Sequence, residues 1–333
     1  MKNATPLDFN SLITHIKNSG ISIDTKKDLL NLMNSGYYHL YKGYKYISSP
    51  TYKVKFNSFD EVLALYRFDN ELKSLFYSEV MFLETALKSR YLNDILTYFK
   101  ISSTNNILLQ IYNNLTISLS NSNKPNKNII RFNNTRNEIF NSISKAYSKN
   151  NNIVTHFLNK GEDVPLWGLF EIISLGQFGN FIRVLPKNLR QQISSFFGIT
   201  NKSYPAYFKD GDFAASIIFI LKDLRNAIAH NGVIFDSRFK SDYSLKNEFF
   251  NFIQGETKIN IKLDNIFDYL VIICFMLKKF DVNKTHILKI LQKFDLLIFQ
   301  LKEDFKNLPQ YYKLIVKASY NADIKVLGKY VDS

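Results

Sequence analysis

The sequence contains a single cysteine, Cys274, which excludes an intramolecular disulfide framework and a cysteine-rich metal site. It also has no glycine-rich phosphate loop, no HExxH element and no Cys/His pair with metal-ligand spacing. These gaps disfavour nucleotide-dependent and metal-dependent chemistry. No internal repeat recurs at a fixed period. The sequence therefore predicts a function without a cofactor or a metal ion.

Long apolar segments are missing as well. The run LVIICFML at 270–277 is too short to cross a bilayer, and we expect Cys274 within it to be buried. The first ten residues, MKNATPLDFN, lack the apolar core of a signal peptide. These features predict a cytoplasmic protein with no membrane partner.

Hydrophobic residues and positive charge are abundant. Hydrophobic side chains make up 46% of 333 residues, enough for one large or two moderate domains. The net charge of +14 indicates a polyanionic partner, and RNA is the obvious candidate. Charge alone does not establish RNA, because the richness in Asn, Ile and Phe is expected from an AT-rich genome, whose codon bias also enriches lysine. Tyrosine and lysine interleave at 37–46, which fits a base-stacking platform or a tyrosine-rich packing segment equally well.

Hydrophobic periodicity predicts an all-α chain. Residues 44–54 are the one place where a hairpin or extended segment is expected. The Asn- and Ser-rich stretch 100–152 is expected to be an insertion, with a loop at 120–128 and a helix at 136–147. The other predicted helices are 7–18, 26–34, 59–76, 78–99, 153–159, 166–175, 179–184, 187–197, 206–231, 245–252, 264–280, 283–301 and 310–318.

The hexapeptide RNAIAH at 225–230 is the most informative segment, and it ends a strongly apolar helix. Gly232 is expected to stop this helix, because glycine accepts the left-handed conformation. Arg225 and His230 are about 140° apart around the helix axis and about 7.5 Å apart along it. Asn226 and His230, four residues apart, share one face.

These residue types suit metal-free cleavage of RNA. A histidine can take the proton from a ribose 2′-hydroxyl or give one to the leaving 5′-oxygen. An arginine can neutralise the charge that develops on the phosphorane oxygens, and Asn226 can orient His230 or donate to the phosphate. The plainer interpretation is a helix end with a charge-complementing histidine and a surface arginine. The hexapeptide alone does not decide between them.

Further motifs stand in a fixed order along the chain. They are GYYHL at 36–40 with GY at 43–44, YRFDNEL at 66–72, ETALKSR at 84–90, PLW at 165–167 with Glu171 and LGQFG at 175–179. Together with RNAIAH, this order resembles the Abi-like (AbiD/AbiF) abortive-infection proteins of bacteria, a family of HEPN-fold ribonucleases. The resemblance covers about two thirds of the chain and leaves the last ninety residues without support.

The resemblance implies catalytic roles for Arg225, Asn226 and His230. We expect RNA contacts from Lys88, Arg90, Asn231 and Arg238; for Arg90, a salt-bridge role, shared with Glu84 on the same helix, is the favoured alternative. Two features depart from the family. Its members often have a histidine and an arginine where this chain has Asn231 and Val233, and Arg238 is not at the matching position. Gly232 replaces the tyrosine of the subgroup that a partner nucleotidyltransferase modifies, which argues against that control.

The resemblance also implies a domain plan and an assembly. We expect an all-α, HEPN-type helical bundle with additional N- and C-terminal helices. The segments are an N-terminal part at 1–57, a core at 58–240 that contains the insertion, and a C-terminal extension at 241–333. One motif per chain predicts a homodimer with two Arg–His sets in a composite cleft.

The function that follows is a metal-independent endoribonuclease, a toxin of anti-phage defence that leaves 2′,3′-cyclic phosphate ends. The resemblance suggests a structured noncoding RNA as its antitoxin. The alternative is a HEPN-fold RNA-binding module that grips phosphate without cleaving it. Two single residues complete the expectations: Trp167 is expected in the core, and His39 is expected to be a packing or surface residue rather than a catalyst.

Overall fold

Helices dominate the computed structural model, which describes residues 8–24, 26–47, 52–117, 126–241 and 245–333. Within these ranges the chain forms α-helices and one turn of π-helix, and it forms no β-strand. The all-α prediction is confirmed. The α-helices are α1 Phe9–Asn18, α2 Lys27–Ser35, α3 Phe59–Phe99, α4 Thr104–Ile117, α5 Lys127–Ser148, α6 Asn152–Leu158, α7 Leu166–Ile172, α8 Leu175–Val184, α9 Lys187–Ser195, α10 Pro205–Asp210, α11 Phe213–Ala229, α12 Asn247–Thr257, α13 Ile266–Lys279, α14 Lys284–Asp304, α15 Pro309–Ile315 and α16 Tyr320–Asp332.

The two helices predicted at 59–76 and 78–99 are a single helix of 41 residues, α3. Ser78, where the second helix was expected to begin, donates its hydroxyl to Glu79 rather than capping a new helix. The sequence from 59 to 99 has neither glycine nor proline, so nothing interrupts the helical hydrogen bonds. The prediction of a break was wrong for this reason.

The helix predicted at 206–231 is two helices, α10 and α11. Gly211 ends α10 in the left-handed conformation, with a φ of +66°. A glycine pays no steric cost there, and α11 begins two residues later. At the other end of the chain, α16 was not predicted. Its buried Tyr320, Leu327 and Val331 have helical spacing, but Gly328 interrupts the pattern that would have revealed them.

The described part of the Asn-rich stretch is more helical than the sequence predicted. Helix α5 begins at Lys127 rather than near residue 136, and its buried side chains include Phe132, Ile139 and Ile143. It packs against α4, α6, α7 and α8. Most of the loop predicted at 120–128 lies outside the described residues, while its last two residues belong to α5.

The extended segment predicted at 44–54 is confirmed on both sides of residues 48–51, which lie outside the described residues. Tyr46 and Lys53 form an antiparallel bridge. The amide of Ile47 donates to the carbonyl of Tyr52, and a second hydrogen bond joins Val54 to Lys45.

The chain forms two compact units. The first contains the described residues of 1–81, 223–242 and 253–333, and the second those of 82–222 and 243–252. The three predicted segments describe a family core and its extensions rather than compact bodies, so that division stays a prediction.

The core of the first unit is organised around α13. Every side chain from Ile266 to Leu277 is buried, including Cys274, and the helix packs against α14 and α16. The apolar run at 270–277 is thus the centre of a folded unit. Among the described helices, none has both the length and the apolar character required to cross a membrane. In the second unit, Trp167 is 43% exposed and its ring meets the edge of the Phe157 ring, so its predicted core position was wrong.

Candidate functional site

The hexapeptide ends α11 in a Schellman motif, a C-terminal cap closed by two backbone hydrogen bonds. The amide of Asn231 donates to the carbonyl of Ile228 at 3.1 Å, and that of Gly232 donates to Ala227 at 2.7 Å. These bonds satisfy the last carbonyls of the helix. His230 consequently projects from the capped end of the helix, where its side chain is exposed.

The left-handed residue of this cap is Asn231, with a φ of +51°, and not Gly232 as predicted. Asparagine tolerates this conformation better than other residues with a side chain. Gly232 serves a different purpose, because a Cβ at this position would lie 3.3 Å from the carbonyl oxygen of Ala227. The sequence identified the helix end correctly but assigned the unusual dihedral angle to the neighbouring residue.

A turn of π-helix, Tyr38–Lys42, faces this helix end. It is closed by a hydrogen bond from the amide of Gly43 to the carbonyl of Tyr38 at 2.9 Å. A Cβ on Gly43 would lie 3.3 Å from Cγ2 of Val233, so glycine permits the close approach of the two segments. Single π-helical turns of this kind frequently occur at functional sites.

The turn and the helix end enclose a cleft of about 490 Å³ within the first unit, which we call the histidine cleft. The polar and aromatic residues that line it include Tyr38, His39, Lys42, His230, Asn231 and Arg238. Aspartate and glutamate side chains are not part of this lining among the residues that the structure describes. The cleft therefore combines two imidazoles with two cations, a composition that favours an anionic ligand.

Two of these side chains, those of Lys42 and His39, lie beside the ring of Tyr38. The ammonium of Lys42 lies 5.7 Å from the centroid of its ring, and the ring of His39 meets it edge-on at 5.4 Å. Tyr38 is itself 64% exposed. An exposed aromatic face beside a cation can stack a nucleotide base, which is the platform interpretation of the tyrosine-rich segment.

Arg238 is fixed in the cleft by its neighbours. Its guanidinium pairs with the buried carboxylate of Asp236 at 2.5 Å and donates to the carbonyl of Gly43 at 3.1 Å. It also lies over the ring of Phe235. These contacts orient the guanidinium and partly neutralise it, so Arg238 enters the cleft as a positioned hydrogen-bond donor.

A buried carboxylate, Asp69 of α3, ties the two sides of the cleft together. One oxygen accepts the amides of Ile234 and Phe235, both at 2.8 Å. The other oxygen accepts the hydroxyl of Tyr44 at 2.8 Å and pairs with the ammonium of Lys73 at 2.8 Å. Asp69 thereby links the segment after His230 to the segment after the π-helical turn.

Lys73 extends this network to the helix cap. Its ammonium donates to the side-chain oxygen of Asn231 at 3.0 Å, which holds the left-handed residue beside His230. Burial raises the pKa of Asp69, and the Lys73 ammonium opposes that rise. Burial and the nearby Asp69 also raise the pKa of Tyr44 far above its ordinary value, so its hydroxyl stays a proton donor.

Arg225 and Asn226 lie on α11, and neither is part of the lining of the histidine cleft. The Arg225 guanidinium contacts the side-chain oxygen of Asn226 at 3.4 Å, and the Asn226 carbonyl accepts the amide of His230. Asp223, which precedes them on the helix, accepts the amide and the hydroxyl of Ser241. It thus anchors the loop that follows Arg238.

Lys88 and Arg90 belong to the second unit. The Lys88 ammonium pairs with Glu84 at 3.0 Å and donates to the carbonyl of Ile173 at 3.2 Å, so it has structural partners within the chain. Arg90 lies 4.0 Å from Asp94 and stacks over Phe196. Glu84 and Arg90 therefore each form an ion pair, as expected, but not with each other. Their partners, Lys88 and Asp94, each lie one helical turn away.

Sequence reasoning missed three residues of this site. The sequence predicts a packing or surface position for His39, yet this residue shares the cleft with His230. Asp69 belongs to the YRFDNEL motif, but the sequence predicted no role for it or for Lys73. A charged residue within a helical apolar face is a recognisable signal for Asp69, since such a residue is buried only when it is paired.

Comparison with known protein families gives a match over most of the residues that line this cleft. A family model described as Abi-like protein matches residues 31–236, which include the π-helical turn, Asp69 and His230. Comparison with curated proteins and with solved structures gives no match. The matched range is more than half of the chain and contains most of the histidine cleft. The chain therefore belongs to the Abi-like protein family.

Proposed function

We propose that this protein is a metal-independent endoribonuclease of the HEPN type, which acts as a toxin in bacterial abortive infection. The observation that carries the proposal is the histidine cleft, where His39 and His230 share one cavity with Lys42 and Arg238. Membership of the Abi-like family supports the defence role. The net charge of +14 supports RNA as the substrate.

The cleft holds the groups that transesterification of RNA requires. One imidazole takes the proton of the ribose 2′-hydroxyl while the 2′-oxygen attacks the adjacent phosphorus. The other imidazole gives a proton to the 5′-oxygen as the phosphorus–oxygen bond breaks. The products are a 2′,3′-cyclic phosphate and a 5′-hydroxyl. Lys42 and Arg238 stabilise the additional negative charge on the phosphorane.

His230 belongs to the RNAIAH motif and also lines the histidine cleft. His39 is the partner that the geometry adds, because it lies in the same cavity of the same protomer. Arg225, outside this lining, acts in the proposed homodimer, where two copies of α11 bring two Arg225–His230 sets together. The two arrangements differ in the residue that supplies the second proton-transfer group, and substitution of His39 distinguishes them.

Restraint of the toxin by a small structured noncoding RNA is part of this proposal. The second candidate function is an RNA-binding module that does not cleave. The exposed Tyr38 ring beside Lys42 favours it, since such a pair can bind RNA without any chemistry.

The decisive experiment is induction of the wild type, His230→Ala and Arg225→Ala in bacteria, followed by sequencing of new 5′-hydroxyl RNA ends. We expect growth arrest and new ends with the wild type, and neither with folded variants. A wild type that leaves RNA intact after removal of any co-purifying RNA refutes the nuclease. If the protein binds RNA without cleaving it, an unchanged RNA affinity of His230→Ala indicates that RNA binds outside the histidine cleft. A reduced affinity indicates that RNA binds in this cleft.

A further inference from the structure

A second cleft lies wholly within the second unit. It has a volume of about 650 Å³ and is lined by residues of α4, α5, α8 and α9 and by the segment between α8 and α9. Four cations reach it: Arg131, Arg183, Lys187 and Arg190. We call it the basic cleft. None of the motifs at 84–90, 165–179 or 225–230 accounts for it.

The charged side chains that line the basic cleft are all positive. No aspartate or glutamate contributes to its lining in the described part of the chain. Asp212, which pairs with Arg190 at 2.7 Å and with Lys246 at 3.1 Å, lies outside the lining. The pair with Asp212 and a hydrogen bond to the carbonyl of Leu185 fix the orientation of the Arg190 guanidinium.

High net charge alone does not explain this composition, because two other cavities of the same chain have mixed charge. A cavity of about 660 Å³ between α5 and α7 is lined by Lys145 and Lys149 and also by Glu171. Another, in the first unit, places Glu71 and Glu79 beside its cations. A cleft with four cations and no carboxylate is therefore a local feature of the second unit.

The neutral groups of the lining suit RNA as well. Side-chain amides of Asn114, Asn128 and Gln191 stand among the cations and can bond ribose hydroxyls or base edges. The first turn of α9 opens at the cleft, and its N-cap, Pro186, has no side chain that could accept the free amides. This helix start adds positive potential to that of the four side chains.

We propose that the basic cleft binds the phosphodiester backbone of single-stranded RNA and holds the polynucleotide while another segment is cleaved. A single phosphate occupies one or two cations, whereas cations from three helices along one cleft suit successive phosphates of a strand. This inference deepens the proposed function, since it names where the same RNA is bound outside the histidine cleft.

The test uses two matched double variants, each in the full chain that carries His230→Ala so that RNA stays intact. Arg131→Gln with Lys187→Gln removes two charges from the basic cleft. Arg136→Gln with Lys202→Gln removes two charges from exposed positions of the same unit that do not line it. Arg136 is on α5 like Arg131, so the helix context is matched. Thermal melting verifies that all variants fold.

Affinity for a fluorescein-labelled 12-nucleotide single-stranded RNA is measured by anisotropy between 50 and 300 mM salt. We expect the cleft variant to bind about tenfold more weakly or worse, with a salt slope reduced by about 1.4 for two lost phosphate contacts. The control variant should keep the wild-type slope within about half a contact. Equal losses in both double variants overturn the proposal.

Two further arms separate the sources of phosphate and the two proposals. Displacement of the RNA by orthophosphate or ATP, at concentrations too low to weaken binding through ionic strength, would assign the cleft to a small anion and overturn RNA binding.

Without His230→Ala, the cleft variant should still cleave a dinucleotide at the wild-type rate and lose cleavage of long RNA. Cleft-dependent RNA binding in a chain that cleaves nothing refutes only the nuclease. Cleavage of long RNA that is insensitive to the cleft refutes only this inference.

Discussion

The carboxylate of Asp69 and the ammonium of Lys73 form an ion pair of 2.8 Å, one helical turn apart on α3, with both side chains buried. The remaining hydrogen-bonding positions of the carboxylate are filled by Tyr44 and by the amides of Ile234 and Phe235. A buried pair that is fully hydrogen-bonded gives a fixed geometry, whereas loss of one partner leaves a buried charge. The histidine cleft depends on this pair although neither residue lines it.

Removal of one charge of this pair should destabilise the first unit strongly. Lys73→Met leaves the Asp69 carboxylate buried without its cation, and we expect a loss of about 3–5 kcal/mol in the free energy of unfolding. Asp69→Asn should cost a similar amount. The double variant, in which both charges are removed, should lose less than the sum of the single losses. Urea denaturation measures all four proteins, and strictly additive losses would show that the pair is not coupled.

His39 provides the sharpest test of the cleft. If both imidazoles of one protomer transfer protons, His39→Ala and His230→Ala should each reduce the rate of RNA cleavage by about 10²–10⁴-fold. Both side chains contact solvent, so the melting temperature should change little. His15→Ala, a histidine of the same unit that does not line the cleft, is the control. Full activity of His39→Ala would assign the second proton transfer to another group.

The proposed dimer predicts complementation between inactive subunits. Arg225→Ala and His230→Ala homodimers should each be inactive. If each composite site takes Arg225 from one protomer and His230 from its partner, mixed dimers retain one intact set and should recover about a quarter of the activity after random exchange, as half of the dimers are mixed and each has one of two sites. Light scattering establishes the dimer first. A fully active monomer contradicts this arrangement. If the mixed dimers are as inactive as the two homodimers, each site takes both residues from one protomer.

Gly43 should accept no larger residue without cost. The added Cβ of Gly43→Ala would lie 3.3 Å from Val233 and 3.4 Å from the carbonyl of Tyr38, so the two segments must separate by a few tenths of an ångström, and we expect a net destabilisation of about 1 kcal/mol. Val233→Ala removes one of these contacts and should recover part of the loss in the double variant. Chemical denaturation gives the values. A double variant less stable than Gly43→Ala by the full cost of Val233→Ala would show that the two residues do not meet.

The left-handed conformation of Asn231 gives a prediction about the helix cap. Asn231→Ala and Asn231→Gly both remove the acceptor of Lys73, but only alanine has a Cβ that disfavours a φ of +51°. We therefore expect the alanine variant to be less stable than the glycine variant by about 1 kcal/mol. Equal midpoints of thermal unfolding would indicate that the cap has rearranged in one of them.

Local signals in the sequence predicted the helices well, because periodic burial and caps are properties of short segments. The break expected at Ser78 and the helix missed at 320–332 show the limit of these local signals. Packing decides whether a helix continues through a serine or a glycine. The hexapeptide identified His230 from its neighbours in the chain. Periodicity can mark Asp69 as a buried charge, but it does not reveal that residues far away in the sequence are its partners, nor that His39 shares the cleft with His230.

The bond between Asp69 and Ile234 joins residues separated by 165 positions in the sequence. During translation, the carboxylate, Tyr44 and the π-helical turn leave the ribosome long before the segment that they hold. A nascent chain that stops before residue 227 has only the wall of the histidine cleft that residues 38–46 form, and it leaves Asp69 without its two amide donors. The cleft is completed only after most of the polypeptide has been synthesised, so fragments from interrupted translation lack the site of the proposed toxic activity.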